Sequence, residues 1–134
     1  MKVKLNDVIE TLEFVNDGLD SNAFYNDKTN EFIYIGDYSD MTVEEREEVY
    51  DNCIGLPTKY HIDEYEMMEE FIETIEDATI YNNLEIAITG KGAFRSFKDT
   101  CNRYGIENKW YKFRDERYKE IAIDWCNKNN IEFE

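Results

Sequence analysis

Apolar residues return at three- and four-residue steps through most of this chain, in runs closed by Gly, Asn or Pro, and that rhythm confines it to a mostly helical fold. Leu5, Val8, Ile9, Leu12 and Val15 form the first run, with Asp7, Glu10 and Glu13 opposite and Asn16-Asp17-Gly18 as a stop. Thr42 is the expected N-cap of a second helix, opening Val43-Glu44-Glu45 and ending near Asn52, because acidic residues suit the positive end of a helix dipole. Gly55-Leu56-Pro57 punctuates. Asp63 then starts a helix to residue 76, with Tyr65, Met68, Ile72 and Ile75 on one stripe and Glu66, Glu69, Glu70, Glu73 and Glu76 on another. Ile80, Leu84, Ala87 and Ile88 predict a short helix closed by Gly90. Phe94, Phe97, Cys101 and Tyr104 mark another, ended by Gly105. Trp110, Phe113, Tyr118, Ile121, Ala122 and Trp125 mark the last, stopped by Asn129-Asn130.

One stretch breaks the rhythm. Ala23-Phe24-Tyr25, a polar turn over residues 26–30, and Glu31-Phe32-Ile33-Tyr34-Ile35 read as a short hairpin, since Asn and Asp tolerate the backbone such turns need. The expected fold is therefore α+β and mostly helical: one short antiparallel β-hairpin packed with about five or six α-helices, in a single domain over residues 1–134.

A chain of 134 residues can bury a core without covalent staples. Mean hydropathy is −0.72, yet Leu, Ile, Val and Phe together number 32, above the share at which disorder becomes the better reading. Cys53, Cys101 and Cys126 are odd in number and never form a C-x-x-C pair, which argues against a disulfide framework or a zinc site. Met1-Lys2-Val3-Lys4 leads into polar residues, so neither a signal peptide nor a membrane span is expected, and the cytoplasm is the default location.

Charge is distributed unevenly. The first 88 residues hold 23 Asp and Glu against five Lys and Arg, whereas the last 46 hold eight against ten. Such a field repels nucleic acid and attracts cationic surfaces before contact. Carboxylates on the 63–76 helix recur about every 5 Å along the axis, at roughly 1.5 Å per residue, which resembles the charge spacing of a nucleic-acid backbone. Like charges four residues apart cost a helix a few tenths of a kcal/mol, so the stripe is slightly uphill until a cation offsets it.

Residues Gly90-Lys91-Gly92-Ala93-Phe94-Arg95-Ser96-Phe97-Lys98-Asp99 form the other local signal. Unpaired amides at a helix start, with Lys91, Arg95 and Lys98 and the open backbone of Gly92, could hold a phosphate or carboxylate. The run is neither a Walker loop nor a dinucleotide fingerprint. Its plain structural reading is a tight turn between helices, with Phe94 and Phe97 in the core and the cations paired to the chain's own glutamates. His61 stands alone, with no Ser or Cys that sequence pairs to it. Asp17, Asp20, Asp27 and Asn30 lack the order of a calcium loop. Trp110, Tyr111 and Phe113 alternate with Lys109, Lys112 and Arg114, but Trp110 and Phe113 fit the core stripe and only Tyr111 points outward.

The run Gly90 to Asp99, followed by Trp110-Tyr111, Phe113, Tyr118, Ala122 and Trp125, resembles the bacterial uncharacterised protein family 0158. The similarity extends to Asp63-Glu64-Tyr65-Glu66-Met67-Met68 and to Val3-Lys4-Leu5-Asn6-Asp7, and so covers nearly the whole chain. Ser96 departs from it, because members often carry a second Arg there. The resemblance implies a small bacterial cytosolic α+β domain and brings no catalytic residue, cofactor or partner with it.

No residue is expected to be catalytic, to bind a cofactor or to hold a metal. The reading that fits is a non-enzymatic interaction protein that presents Glu44, Glu45, Glu48, Glu66, Glu69, Glu70, Glu73 and Glu76 to a basic protein, without direct nucleic-acid or membrane contact. A nucleic-acid-binding protein is the partner class to expect first, with this chain as regulator, inhibitor or mimic. The alternative is a nucleotide or other phosphorylated ligand held at Lys91, Gly92, Arg95 and Lys98.

Overall fold

A computed structural model describes residues 2–17, 22–36 and 40–134. Gly18 and Asp20, invoked above as a helix stop and a calcium-loop candidate, lie outside them. The element order is α1 (Leu5–Asp17), β1 (Asn22–Asn26), β2 (Glu31–Ile35), α2 (Val43–Asn52), β3 (Ile54–Gly55), α3 (Lys59–Ile62), α4 (Glu64–Ile72), α5 (Ala78–Ala87), α6 (Ala93–Arg103) and α7 (Glu107–Lys128). This is an α+β fold, mostly helical. Among the described residues six helices run nine residues or more, and α3 is a single turn. The predicted hairpin gains a third strand: the order is β2-β1-β3, all antiparallel, with Phe24 opposite Ile33 on one side and Tyr25 opposite Ile54 on the other. Two residues are too few to show an alternation, which is why β3 left no trace in the sequence pattern.

Residue contacts divide the chain into two compact units, Met1–Ile62 with Tyr118–Glu134, and Asp63–Arg117. In the first, Asn26 Oδ1 accepts from the amides of Lys28 (2.9 Å) and Thr29 (3.3 Å) and closes the β1–β2 turn, while Asn30 takes a left-handed φ of 61°. Tyr25, buried on β1, donates its hydroxyl to Asn30 Oδ1 at 2.8 Å and meets the edge of Trp125. The Trp125 indole N–H in turn donates to the Gly55 carbonyl at 2.9 Å. Val8, Leu12 and Val15 of α1 complete this core. Val3 bridges Phe133 in parallel, with its amide donating to the Glu132 carbonyl at 2.9 Å. Asn130, at φ 55°, ends α7: the Ile131 amide reaches back to the Cys126 carbonyl at 2.8 Å, a Schellman closure.

In the second unit the core is aromatic. Phe71, Phe97, Trp110 and Phe113 meet mostly edge to face, with centroids 4.9–6.4 Å apart, the range such pairs prefer. Met67, Met68, Ile72, Leu84 and Cys101 are also buried in this unit. Gly105, at φ 68°, sits where the chain leaves α6, and the Ile106 amide donates to the Cys101 carbonyl at 2.9 Å in a second Schellman closure. The Trp110 indole N–H is buried without a hydrogen-bond acceptor among the described residues.

Two sequence expectations need correction here. The helix from Asp63 stops at Ile72 instead of running to residue 76. The Thr74 hydroxyl and amide both turn back to the Phe71 carbonyl, at 2.6 and 2.9 Å, and Asp77 begins a new helix by accepting from the Thr79 and Ile80 amides. Glu73 is therefore the cap of α4 and Glu76 lies beyond it. Phe94, expected in the core beside Phe97, is 48% exposed and only touches the ring of Tyr65 edge-on at 6.4 Å.

Candidate functional site

Helix α2 is anchored thinly. Val49 is its buried residue, while Glu44, Glu45, Glu47, Glu48, Tyr50 and Asp51 all face solvent. Thr42 accepts from the Glu45 amide at 3.1 Å, as predicted for an N-cap, and its hydroxyl donates to one oxygen of the Glu45 carboxylate at 3.2 Å. The side chains of Glu44 and Glu48, four residues apart, make no hydrogen bond or ion pair among the described residues. The first unit, which contains α2, carries 18 acidic residues against seven basic ones in sequence, and the second 13 against eight. The negative surplus therefore concentrates in the first.

Helix α4 starts from Asp63, whose carboxylate accepts from the Glu66 amide at 3.2 Å with φ at 49°. Its buried face is Met67, Met68, Phe71 and Ile72, which turns Glu66 and Glu69 outward, again without side-chain partners among the described residues. Glu70 is instead 3.0 Å from the Arg117 Nε. Glu73 accepts from the Tyr81 hydroxyl at 3.0 Å; that bond, with a second carboxylate at Glu85, pushes the Tyr81 phenol up to about 12. Glu76 lines a cavity of about 590 Å³ whose walls include Phe71, Ile75, Ile80, Phe113 and Lys112. No feature of the sequence marked that cavity, because it forms where α4 ends early.

Nor did the sequence mark the buried pair of the second unit. Glu64, at the start of α4, is buried and accepts from the Arg114 Nε at 3.0 Å. Fifty residues separate the two, and both look like ordinary surface charges in a charged stretch.

The Gly90–Asp99 segment has the geometry of a helix entrance. Gly90 and Gly92 take left-handed φ of 77° and 72°, and Gly92 caps α6 without any side chain to satisfy its first amides. Lys91, Arg95 and Lys98 are exposed and make no hydrogen bond or ion pair among the described residues, so the expected pairing with the chain's own glutamates does not occur. Phe97 and Cys101 form the buried side of α6.

Other candidates resolve into structure. His61 Nδ1 lies 2.9 Å from the Thr58 hydroxyl on the exposed turn α3. Cys101 and Cys126 are buried free thiols, and Cys53 is a half-buried one. Burial pushes Cys101 up to about 11 and raises Cys126; burial with the nearby carboxylates of Asp27 and Glu48 raises Cys53. None of the three is an activated nucleophile. Tyr111 is exposed, whereas Trp110 is core. Among the described residues no group of three or more His, Cys, Asp or Glu could hold a metal ion, and no helix is long and apolar enough to cross a membrane.

Comparison with known proteins adds family but no chemistry. The UPF0158 protein PA5073 of Pseudomonas aeruginosa is 30% identical over 67 residues, a match that covers 49% of this chain and 44% of that protein. The aligned part is thus less than half of that relative's length. No solved structure matches. The model of the uncharacterised protein family UPF0158 matches residues 1–134. The chain belongs to the uncharacterised protein family UPF0158.

Proposed function

We propose that this chain is a non-enzymatic interaction protein whose glutamate-rich helices α2 and α4 bind a basic protein, with nucleic-acid-binding proteins as the first class to test. The observation that carries this reading is the set of solvent-facing carboxylates at Glu44, Glu48, Glu66 and Glu69, which the chain's own cations leave unmatched among the described residues. An exposed carboxylate pair gains little from a single cation in water, about 0–1 kcal/mol, so affinity requires several engaged together by a patterned basic surface. Glu66 and Glu69, one turn apart on α4, stand about 5 Å apart along the axis at roughly 1.5 Å per residue, a phosphate-like spacing. Such a protein acts by occupying a cationic surface that would otherwise hold DNA or RNA. The immobilised chain should retain basic proteins from a bacterial lysate and release them with rising salt. An unchanged retained set after Glu66 and Glu69 become Gln would refute α4 as the binding face.

A second reading has its own observation. Lys91, Arg95 and Lys98 are exposed without carboxylate partners among the described residues, beside the uncapped start of α6, a combination suited to a phosphorylated ligand. A thermal-shift screen of nucleotides and sugar phosphates tests it, since a ligand at about a hundred times its dissociation constant adds roughly 2.7 kcal/mol. Silence across the screen would remove it.

A further inference from the structure

A groove of about 470 Å³ runs beside α2 in the first unit, lined by Asn26, Lys28, Ile33, Met41, Glu45, Glu48, Val49, Asn52 and Cys53. Its floor and its rim differ in kind. Ile33, Met41 and Val49 supply an apolar bed that is half-buried or buried, while Glu45 and Glu48, one turn apart on α2, stand at the edge. Glu48 has no side-chain partner among the described residues, and Glu45 keeps one oxygen free of its bond to Thr42. Lys28 is the cation of the lining, against two carboxylates.

We infer that this groove receives an arginine side chain of the basic partner, its methylene stem on Ile33, Met41 and Val49 and its guanidinium against Glu45 and Glu48. The inference rests on the reading of the chain as a binder of basic proteins and names where on α2 a side chain enters. An aliphatic stem carrying a cationic head is the one side-chain type that satisfies an apolar bed with a carboxylate edge. Arginine fits better than lysine, because its planar fork can engage two carboxylates at once and its weaker hydration lowers the cost of leaving water. The carboxylate field reaches into the groove: Asp27 and Glu48 both act on the Cys53 thiol at its wall, in addition to burial.

Cys53 provides the readout. It lines the groove and is half-buried, whereas Cys101 and Cys126 are buried, so its alkylation by neutral iodoacetamide, followed by mass spectrometry, reports occupancy of this site. With a labelled hexa-arginine peptide bound to the native chain, as judged by anisotropy, Cys53 alkylation should slow at least fivefold. In Glu45→Gln/Glu48→Gln the slowing should fall below twofold. Glutamine at position 45 can still accept from the Thr42 hydroxyl, and both positions are exposed, so the substitutions leave the packing of α2 untouched. Peptide that binds without protecting Cys53, or that protects the variant equally, overturns the groove while leaving the acidic-face reading intact. Absence of peptide binding together with absence of any retained basic protein overturns both.

Discussion

Arg114 on α7 holds the buried carboxylate of Glu64 on α4 at 3.0 Å, with the two side chains only 17% and 9% exposed. Removing one partner of such a pair strands a charge away from water, which costs about 3–5 kcal/mol. Arg114→Ala should lower the unfolding free energy from urea denaturation by that order. Arg117→Ala breaks the Glu70 pair, which is 29% and 41% exposed, and should cost less than about 1 kcal/mol. Equal losses for the two variants would contradict the assignment of Glu64 as the structural glutamate of α4.

The two tryptophans predict a second contrast. Trp125 donates its indole N–H to the Gly55 carbonyl at 2.9 Å, whereas the Trp110 N–H is buried without an acceptor among the described residues. Replacement by Phe removes similar volume in each case. Trp125→Phe also loses a hydrogen bond worth about 1 kcal/mol, while Trp110→Phe sheds an unsatisfied donor. Chemical denaturation should therefore find Trp110→Phe the milder of the two.

Thiol titration gives a pH dependence. Burial holds the Cys101 proton up to about 11, against an ordinary 9.0 in the unfolded chain. Between those values the native state binds more protons than the unfolded state, so this contribution is whole below pH 9 and declines as pH rises towards 11. In Cys101→Ala the alkaline decline in stability should be shallower. An identical slope in the two proteins would show that Cys101 ionises normally when folded.

Tyr81 tests the local geometry at the end of α4. Its hydrogen bond to Glu73, with the carboxylate of Glu85 nearby, places its phenol at about 12 instead of 10.0. Ultraviolet titration, with Tyr81→Phe to isolate the signal, should show late ionisation that moves down towards 10 in Glu73→Gln. No movement would detach Glu73 from Tyr81 and return it to the free acidic surface.

What could be read from the sequence followed from periodicity and stop residues. Thr42, Gly105 and Asn130 ended or began helices where their chemistry required, and α2 opens at Val43 and ends at Asn52, close to the expected bounds. The failures have local causes that periodicity alone does not weigh. The end of α4 at Ile72 is set by Thr74 folding back on Phe71 and by Asp77 capping α5, and both compete with a helical pattern that continues to Ile75. Phe94 sits one position off the buried stripe that runs through Phe97 and Cys101, and a two-residue strand such as β3 carries no period at all. The acidic candidates are legible as residues; which of them are already engaged, as Glu70 is by Arg117 and Glu73 by Tyr81, is decided by the fold.

Binding of a basic partner requires that the unmatched glutamates engage cations in a pattern. The direct measurement is salt-gradient elution of basic proteins retained on the immobilised chain, compared with a variant in which Glu44, Glu48, Glu66 and Glu69 are all Gln. A defined basic partner should elute late from the native chain and pass through the variant column at low salt. The same proteins eluting at the same salt from both columns would contradict the central claim.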